Sequence, residues 1–135
     1  CKLNANLLKW NLVVMHAFRL VHMDIKPENV LFDSKFDLKL SDFGLSMSTS
    51  EGSVVEKRGE LGTPGYRSPE MEEGRDYDAY EADMFALGVV LFSMYCGRPP
   101  FSRASTKDAC YKHLSRRNFQ AFWELHETKK SKCVF

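Results

Sequence analysis

The sequence predicts an α+β fold that is mostly helical and contains one small β-hairpin. Three observations support this: apolar residues at helical spacing near the start, two short β-type segments after them, and a long apolar stretch followed by two further helical segments. The 135 residues, 44% hydrophobic and 27% charged, have the composition of a globular protein and not of a disordered tail or a collagen-like repeat. This length sets one domain as the upper limit.

The first predicted elements are a helix and a hairpin. Apolar residues from Leu7 to Phe18 recur at helical spacing and predict an amphipathic helix over residues 5–18. Residues 29–32 and 38–40 have β-type sequences, and the polar residues between them predict the turn. A loop that carries the densest group of polar residues must lie between the helix and the hairpin.

The rest of the chain predicts a long loop and three helices. Residues 46–65 are rich in Ser, Thr, Gly and Glu, and a loop of this length inside a compact domain usually has a function. Residues 80–96 are apolar on nearly every face, so we expect a helix buried in the middle of the domain, ended by Gly97 and two prolines. Further helices are predicted over residues 104–116 and 119–130.

The net charge of +1 conceals an uneven distribution of charge along the chain. Residues 68–83 contain seven acidic residues and one basic residue, whereas residues 98–135 contain nine basic and three acidic residues. Two solvated faces on either side of a buried helix explain this pattern more simply than a binding patch does. The composition excludes a polycationic nucleic-acid binder, and we expect no nucleic-acid partner.

The sequence has neither the pattern of a membrane protein nor that of a zinc site. The longest apolar run, residues 84–92, is shorter than the roughly 20 residues of a membrane-spanning helix, and no signal peptide is recognisable. We therefore expect a cytoplasmic protein with no membrane partner. The cysteines are far apart and lack metal-ligand spacing, which favours reduced thiols; they are Cys1, Cys96, Cys110 and Cys133.

Two polar segments follow each other at the ends of the predicted strands. The first is HMDIKPEN, residues 22–29, directly before an apolar strand, and the second is Asp42-Phe43-Gly44, directly after another. Carboxylate, ammonium and carboxamide groups in these places can converge on one point, which suits phosphoryl transfer because the protein then mainly positions groups and neutralises phosphate charge. Mg²⁺ takes oxygen ligands, and Asn29 and Asp42 can supply them.

With these segments the chain resembles the protein kinase family. HMDIKPEN matches the catalytic-loop pattern HRDxxxxN except at Met23, and DFG is intact. GTPGYRSPE matches the segment that ends in APE, with Ser68 for Ala, and DMFALG matches the buried-helix motif that follows. The order and spacing of the four motifs agree over about residues 16–101. A kinase-like fold is therefore implied.

The resemblance implies a role for each polar residue of the catalytic loop. Asp24 would accept or orient the proton of the substrate hydroxyl, and Lys26 would steady the transferring phosphoryl group. Thr63 would bond both of them, as in serine/threonine kinases, and Asn29 completes the implied catalytic set. The reaction would be the phosphorylation of Ser or Thr residues on protein substrates, with ATP and Mg²⁺ as cofactors.

The resemblance also implies a nucleotide and metal site. Asn29 and Asp42 would hold Mg²⁺, and Lys26, Glu28 and Leu31 would join them in binding the cofactor. Leu31 matches a position that lines the adenine site, and core packing suits it equally. Glu28 matches a position that contacts arginine in basic substrates, so a basic substrate motif is open. The PEN and CGRPPF segments resemble calcium/calmodulin-dependent kinases, which leaves calmodulin open as a partner.

Three substitutions depart from the family's pattern. Met23 replaces an Arg that a phosphate on the activation loop neutralises in many kinases, and Gly59 stands where the activating Thr or Ser usually lies. We hypothesise that activation does not depend on phosphorylation at that position. Arg19 stands where kinases commonly have a turn glycine, a substitution that costs on the order of 1 kcal/mol if φ is positive. Other modification sites stay open at Ser46, Ser48, Thr49, Ser50 and Ser53.

Several residues have a structural interpretation beside the catalytic one. His22 is interpreted as a structural histidine beneath the catalytic loop, and Phe43 as a core aromatic. Asp83 predicts the N-cap of the buried helix, to which the resemblance adds a bond to the catalytic-loop backbone. The other histidines have no partner spacing and are expected on the surface or in packing; they are His16, His113 and His126.

The resemblance implies that residues 1–135 are part of a kinase domain, truncated at both ends. Neither a GxGxxG loop nor a VAIK-type lysine precedes Asp24, so we expect the N-terminal lobe to be absent and these residues alone to have little or no activity. A pseudokinase or truncated product that serves only as an interaction module is the alternative. The presence of Asp24, Lys26, Asn29 and Asp42 favours the enzyme.

Overall fold

The computed structural model describes residues 5–35, 37–49, 51–56 and 61–127, and for residues 5–7 it describes the backbone only. Gly59 and Ser50 lie outside the described residues. Five helices and six strands occupy the described part of the chain. The helices are α1 (Ala5–Ala17), α2 (Pro69–Glu72), α3 (Ala79–Cys96), α4 (Ala109–Ser115) and α5 (Phe119–Glu127). The strands are β1 (Leu20–Val21), β2 (Val30–Phe32), β3 (Leu38–Leu40), β4 (Met47–Ser48), β5 (Val54–Val55) and β6 (Tyr77–Asp78).

The strands pair into three antiparallel two-stranded sheets, whereas the sequence predicts a single hairpin. That hairpin is β2–β3, and its turn is closed by the Asp33 carboxylate, which accepts the amides of Lys35 and Asp37, both at 2.9 Å. The other sheets, β1–β4 and β5–β6, hold parts of residues 46–65, which are therefore not one long loop. Strands of two residues are too short to give a periodic pattern in the sequence.

The main hydrophobic core lies between α1, the hairpin and α3. Leu8 and Leu12 of α1 are both 1% exposed and pack with Leu87 and Val90 of α3. Burial of one such side chain stabilises the fold by about 1.5–3 kcal/mol. Ile25, from the loop after β1, joins the same cluster, so the loop with the polar residues rests directly on the core.

The central helix α3 differs in two respects from its prediction. Met84 and Tyr95 are 47% and 76% exposed, so the helix is not buried on every face. Its N-cap is Asp78, whose carboxylate accepts the amides of Tyr80 and Glu81, and the prediction of Asp83 as the N-cap is wrong. By length and composition α3 could cross a membrane, the one such helix among the described residues, yet its apolar residues form the centre of the core.

The last two helices are shorter than predicted. Helix α4 begins after Asp108, whose carboxylate accepts the amides of Cys110 and Tyr111, both at 2.9 Å, so the helix starts later than residue 104. Helix α5 ends at Glu127 within the described residues, and residues 128–130 of the predicted helix lie outside them. Cys96 and Cys110 are not joined in a disulfide, whereas the other two cysteines lie outside the described residues.

Candidate active site

One buried carboxylate holds the loop between β1 and β2 from below. Asp83 of α3 is 1% exposed, and its two oxygens accept the amides of His22 and Met23, both at 2.8 Å. The His16 ring, from α1, places Nε2 3.1 Å from the same carboxylate. Hydrogen bonds to a buried charge are short and strong, so Asp83 fixes the backbone just before Asp24. His16 therefore has a partner that its sequence spacing did not reveal.

His22 ties this loop to the end of the hairpin. The ring is fully buried, with Nε2 3.0 Å from the carbonyl oxygen of Ser41 and Nδ1 accepting the amide of Asp24 at 3.3 Å. This pattern assigns the ring proton to Nε2, the nitrogen that faces a carbonyl. The geometry agrees with a structural histidine. Phe43 lies 5.2 Å from this ring, centroid to centroid, but is 53% exposed, so its interpretation as a core aromatic is wrong.

The four residues of the predicted catalytic set lie around one carboxylate. Asp24 Oδ1 accepts the amide of Thr63 at 3.0 Å and its hydroxyl at 2.6 Å. Oδ2 accepts the ammonium of Lys26 at 2.6 Å and the carboxamide nitrogen of Asn29 at 3.3 Å. Lys26 Nζ also donates to the hydroxyl oxygen of Thr63 at 3.0 Å. Residues far apart in the sequence thus converge on Asp24.

These contacts control the protonation of the pair. Burial of Asp24 would raise its pKa, but hydrogen bonds from Lys26 and Thr63 outweigh burial and the pKa is lowered from the ordinary 3.8. The hydrogen bond to Asp24 raises the pKa of Lys26 above the ordinary 10.5, and the nearby charges of Glu28 and Asp42 act in the same direction. At neutral pH the carboxylate is therefore ionised and the ammonium charged.

The other predicted site residues lie on a more open side. Asp42 is exposed, has a positive φ of 61°, and accepts the amide of Gly44 at 3.3 Å. The charge of Asp42 contributes to the raised pKa of Lys26, so the two side chains interact electrostatically. Leu31 is 52% exposed on β2, so core packing does not account for it, and Glu28 is exposed on the turn before β2.

Comparison with known proteins identifies the family. A family model described as "Protein kinase domain" matches residues 6–133. This chain belongs to the protein kinase domain family.

Three curated relatives illustrate the similarity. The kinase GIN4 of Saccharomyces cerevisiae is 41% identical over 86 residues, which cover 64% of this chain and 7% of the relative. Rhodopsin kinase of Rattus norvegicus is 43% identical over 103 residues, or 76% of this chain and 18% of the relative. The carbon catabolite-derepressing protein kinase of Candida tropicalis is 41% identical over 86 residues, or 64% and 14%. The chain spans less than a fifth of the length of each.

The side-chain oxygens of Asn29 and Asp42 have the chemistry that Mg²⁺ prefers. Both hydrogen bonds of the Asn29 side chain are donated by Nδ2, to the carbonyl and carboxylate oxygens of Asp24, and this orientation leaves Oδ1 as its ligand atom. Asp42 adds an exposed carboxylate. Within residues 5–35, 37–49, 51–56 and 61–127 no group of three or more His, Cys, Asp or Glu could hold a metal. Two protein ligands fit Mg²⁺, which usually keeps waters and takes further oxygens from phosphates.

The structure adds positions that motif matching did not assign. Arg67 is 7% exposed and donates to the carbonyl oxygen of Gly62, one residue before Thr63. The indication in the sequence was that a charged residue lies in the segment GTPGYRSPE, whose Thr63 is predicted to bond Asp24 and Lys26. Thr49 is buried, with its hydroxyl bonded to the Arg19 carbonyl oxygen and the Tyr80 hydroxyl, and Ser53 bonds the Asp78 carboxylate, so both hydroxyls are already engaged.

Two of the four non-glycine residues with positive φ in the described part of the chain lie in the polar segments of the site: Met23 at 66° and Asp42 at 61°. A third, Arg19 at 57°, directly precedes β1. A positive φ is unfavourable for residues with a Cβ, and such backbone persists only where its surroundings enforce it. Arg19 thus has the conformation that its replacement of a turn glycine suggests, and Met23 and Asp42 set the direction of the chain at the two polar segments.

Proposed function

We propose that the protein to which this chain belongs transfers the γ-phosphoryl group of ATP to Ser or Thr hydroxyls of protein substrates. The observation that carries the proposal is the convergence of Lys26, Asn29 and Thr63 on the Asp24 carboxylate. A charged ammonium beside an ionised carboxylate suits a reaction in which a hydroxyl is oriented and phosphate charge is neutralised. The family and its serine/threonine kinase relatives support the same reaction.

In this proposal Asp24 mainly orients the acceptor hydroxyl. Its lowered pKa makes it a weak base at neutral pH, so it accepts a hydrogen bond from the hydroxyl and takes the proton only late in the transfer. Thr63 and Asn29 prevent the carboxylate from rotating away, since they occupy different oxygens. Lys26 keeps its proton throughout and presents positive charge where phosphate oxygens gather.

Asn29 and Asp42 are proposed to hold Mg²⁺, and Leu31 to contact the adenine. When bound, Mg²⁺ and ATP supply the divalent charge and the phosphoryl group. The exposure of about half of Leu31, on the strand that follows the catalytic loop, supports its proposed contact with adenine. The exposure of Asp42 leaves its carboxylate accessible for a metal.

We further propose that residues 1–135 correspond to the C-terminal lobe of a kinase domain and that an N-terminal lobe supplies the rest of the nucleotide site. The predominance of helix over strand in the described residues and the small share of the relatives' length that the chain spans support this assignment. A cytoplasmic location accompanies the proposal.

Activation without phosphorylation near Gly59 is also proposed. Met23 is 5% exposed and packs with Val21, Val55 and Tyr77, so the residue at this position is itself no cation for a phosphate to neutralise. For the substrate, the Glu28 charge acts on both Lys26 and the Tyr66 hydroxyl, whose pKa is raised by burial and by this carboxylate. An exposed carboxylate beside the catalytic pair favours substrates with a basic residue.

The test is phosphate transfer from labelled ATP with Mg²⁺ to Ser, Thr and Tyr peptides by the protein that contains this chain. Asp24→Asn and Asp42→Asn should each lower the rate by at least about 10²-fold, and Asp37→Asn, in the hairpin turn, should not. Wild-type rates in both site variants would refute the roles of Asp24 and Asp42. Transfer to Tyr alone would refute the Ser/Thr specificity.

A further inference from the structure

Arg67 is a buried cation next to, but outside, the predicted catalytic set. Its guanidinium Nε and one terminal nitrogen both donate to the Gly62 carbonyl oxygen, at 3.1 and 2.9 Å. Burial of a charge is unfavourable unless hydrogen bonds compensate for it, and 93% of this residue is removed from solvent, as its exposure of 7% shows. An apolar side chain of similar size would fill the same volume without that penalty.

The carbonyl oxygen that accepts from Arg67 belongs to Gly62, which lies against the catalytic loop. Gly62 has a φ of +73°, and a Cβ at this position would lie 2.9 Å from the carbonyl oxygen of Met23. Only glycine permits this approach. The next residue, Thr63, uses both its amide and its hydroxyl to bond Asp24. Arg67, Gly62, Thr63 and Asp24 therefore form one continuous chain of contacts.

A small cavity joins the same groups. It has a volume of about 10 Å³, close to the space that one water molecule needs, and it lies under the catalytic loop. Its lining includes Asp24, Thr63, Arg67 and Asp83, so Arg67 borders the same small space as the residues that order the loop.

We propose that Arg67 is a positioning residue that, by holding the Gly62 carbonyl, fixes Thr63 against Asp24 and so sets the orientation of the catalytic carboxylate. This assignment rests on the proposed function only in naming Asp24 as catalytic. In this proposal Arg67 acts through the backbone of Gly62 and not on the reacting groups. The buried guanidinium of Arg67 then keeps the loop at Gly62 and Thr63 ordered.

The test measures two NMR readouts of the Thr63 amide, its proton chemical shift and its hydrogen exchange, in the protein that contains this chain. Arg67→Met should move the Thr63 amide proton upfield, because the 3.0 Å bond from this amide to Asp24 weakens. Exchange of the Thr63 amide should rise by about tenfold more than exchange of the His22 amide, which Asp83 holds independently. Arg67→Lys, which keeps the charge and one donor, should show smaller changes of the same sign.

The control is Arg103→Met, which removes a 56% exposed guanidinium 3.4 Å from Glu72 and should change neither readout. If Arg67→Met does not fold, Arg67→Lys supplies the same comparison, since it keeps the charge but loses one of the two donors to the Gly62 carbonyl. An unchanged Thr63 amide shift and an unchanged ratio of Thr63 to His22 exchange in the folded variants would overturn the proposal, even if stability falls. Neither readout requires phosphate transfer, so failure of the proposed function is detected separately.

Discussion

Two parts of the candidate site differ in exposure: the proposed acceptor side, around Asp24, and the proposed nucleotide side, around Leu31 on β2. On the acceptor side, Asp24 is 8% exposed and both of its carboxylate oxygens accept hydrogen bonds. On the nucleotide side, large apolar residues of β2 and of the segment after β3 face solvent: Leu31 at 52%, Phe32 at 46%, Phe43 at 53% and Leu45 at 38%. The acceptor geometry is thus a property of this chain, whereas the nucleotide side offers apolar surface that a second lobe would cover.

The largest effect on stability is expected from a substitution of Asp83, which holds the loop that carries Asp24. Asp83→Ala leaves two buried amides without acceptors, at about 1–3 kcal/mol each, so we expect a loss of about 2–6 kcal/mol in the free energy of unfolding. Urea unfolding measures this loss. Glu81→Ala, an exposed acidic residue in the first turn of the same helix, should lose no more than about 1 kcal/mol. Equal losses would show that Asp83 does not anchor the loop.

The two faces of the hairpin give the next contrast. Leu38→Ala removes a side chain that is 3% exposed and should cost about 2–5 kcal/mol, whereas Leu31→Ala, at 52% exposure, should cost less than about 1 kcal/mol. Both changes remove the same atoms from the same hairpin. Denaturant midpoints that fall equally for the two variants would mean that Leu31 is covered in this chain.

The ion pair between Asp24 and Lys26 makes the stability of the acceptor side depend on pH. Because the folded pKa of Asp24 is below the ordinary 3.8, its bonds stabilise the fold above that pH and are lost as pH falls through the folded pKa. Because the pKa of Lys26 is raised above 10.5, the stabilisation that its charge contributes is lost only as pH rises through that higher pKa. Lys26→Met should therefore cost about 1–3 kcal/mol at pH 7 and much less near pH 2.

The matched control for the ion pair is Lys39→Met. Lys39 is 59% exposed and 3.8 Å from the Asp33 carboxylate, so its loss should change stability by less than about 0.5 kcal/mol at either pH. A gap between wild type and Lys26→Met that does not shrink on acidification would contradict the assigned protonation of the pair.

The smallest expected effect is a gain. Arg19→Gly relieves a φ of 57° and should stabilise the fold by about 0.5–1 kcal/mol. Lys107→Gly, which lacks a positive φ, should instead destabilise it, because glycine increases the entropy of the unfolded chain. Thermal unfolding distinguishes the two signs. A loss of stability in Arg19→Gly would show that the Arg19 side chain contributes more than its backbone strain costs.

Local patterns were sufficient for some elements and not for others. The hairpin and the stop of α3 at Gly97 follow from strand composition and from a residue that tolerates a φ of 69°. The β1–β4 and β5–β6 pairs depend on contacts between distant segments of two residues, which leave no periodic signal. The N-cap was misassigned because both Asp78 and Asp83 precede apolar residues, and only packing decides which carboxylate faces the helix end.

The candidate site follows the same division. Motif order identified Asp24, Lys26, Asn29 and Thr63, since their spacing is specific, but it gave no distance between Thr63 and Asp24. The roles of His16 and Arg67 were missed because each depends on a partner from another element, Asp83 and Gly62 respectively. Exposure of Leu31 and Phe43 depends on what covers the hairpin face, which local sequence does not encode.

The most direct measurement is hydrogen exchange of individual amides in the 135-residue chain. The amides of His22 and Met23 bond a buried carboxylate at 2.8 Å, whereas the Gly44 amide makes a 3.3 Å bond in an exposed segment. If the acceptor side is built by this chain alone, His22 and Met23 exchange at least about tenfold more slowly than Gly44, after correction for intrinsic rates. Equal rates for the three amides would contradict the claim that these residues by themselves fix the catalytic loop.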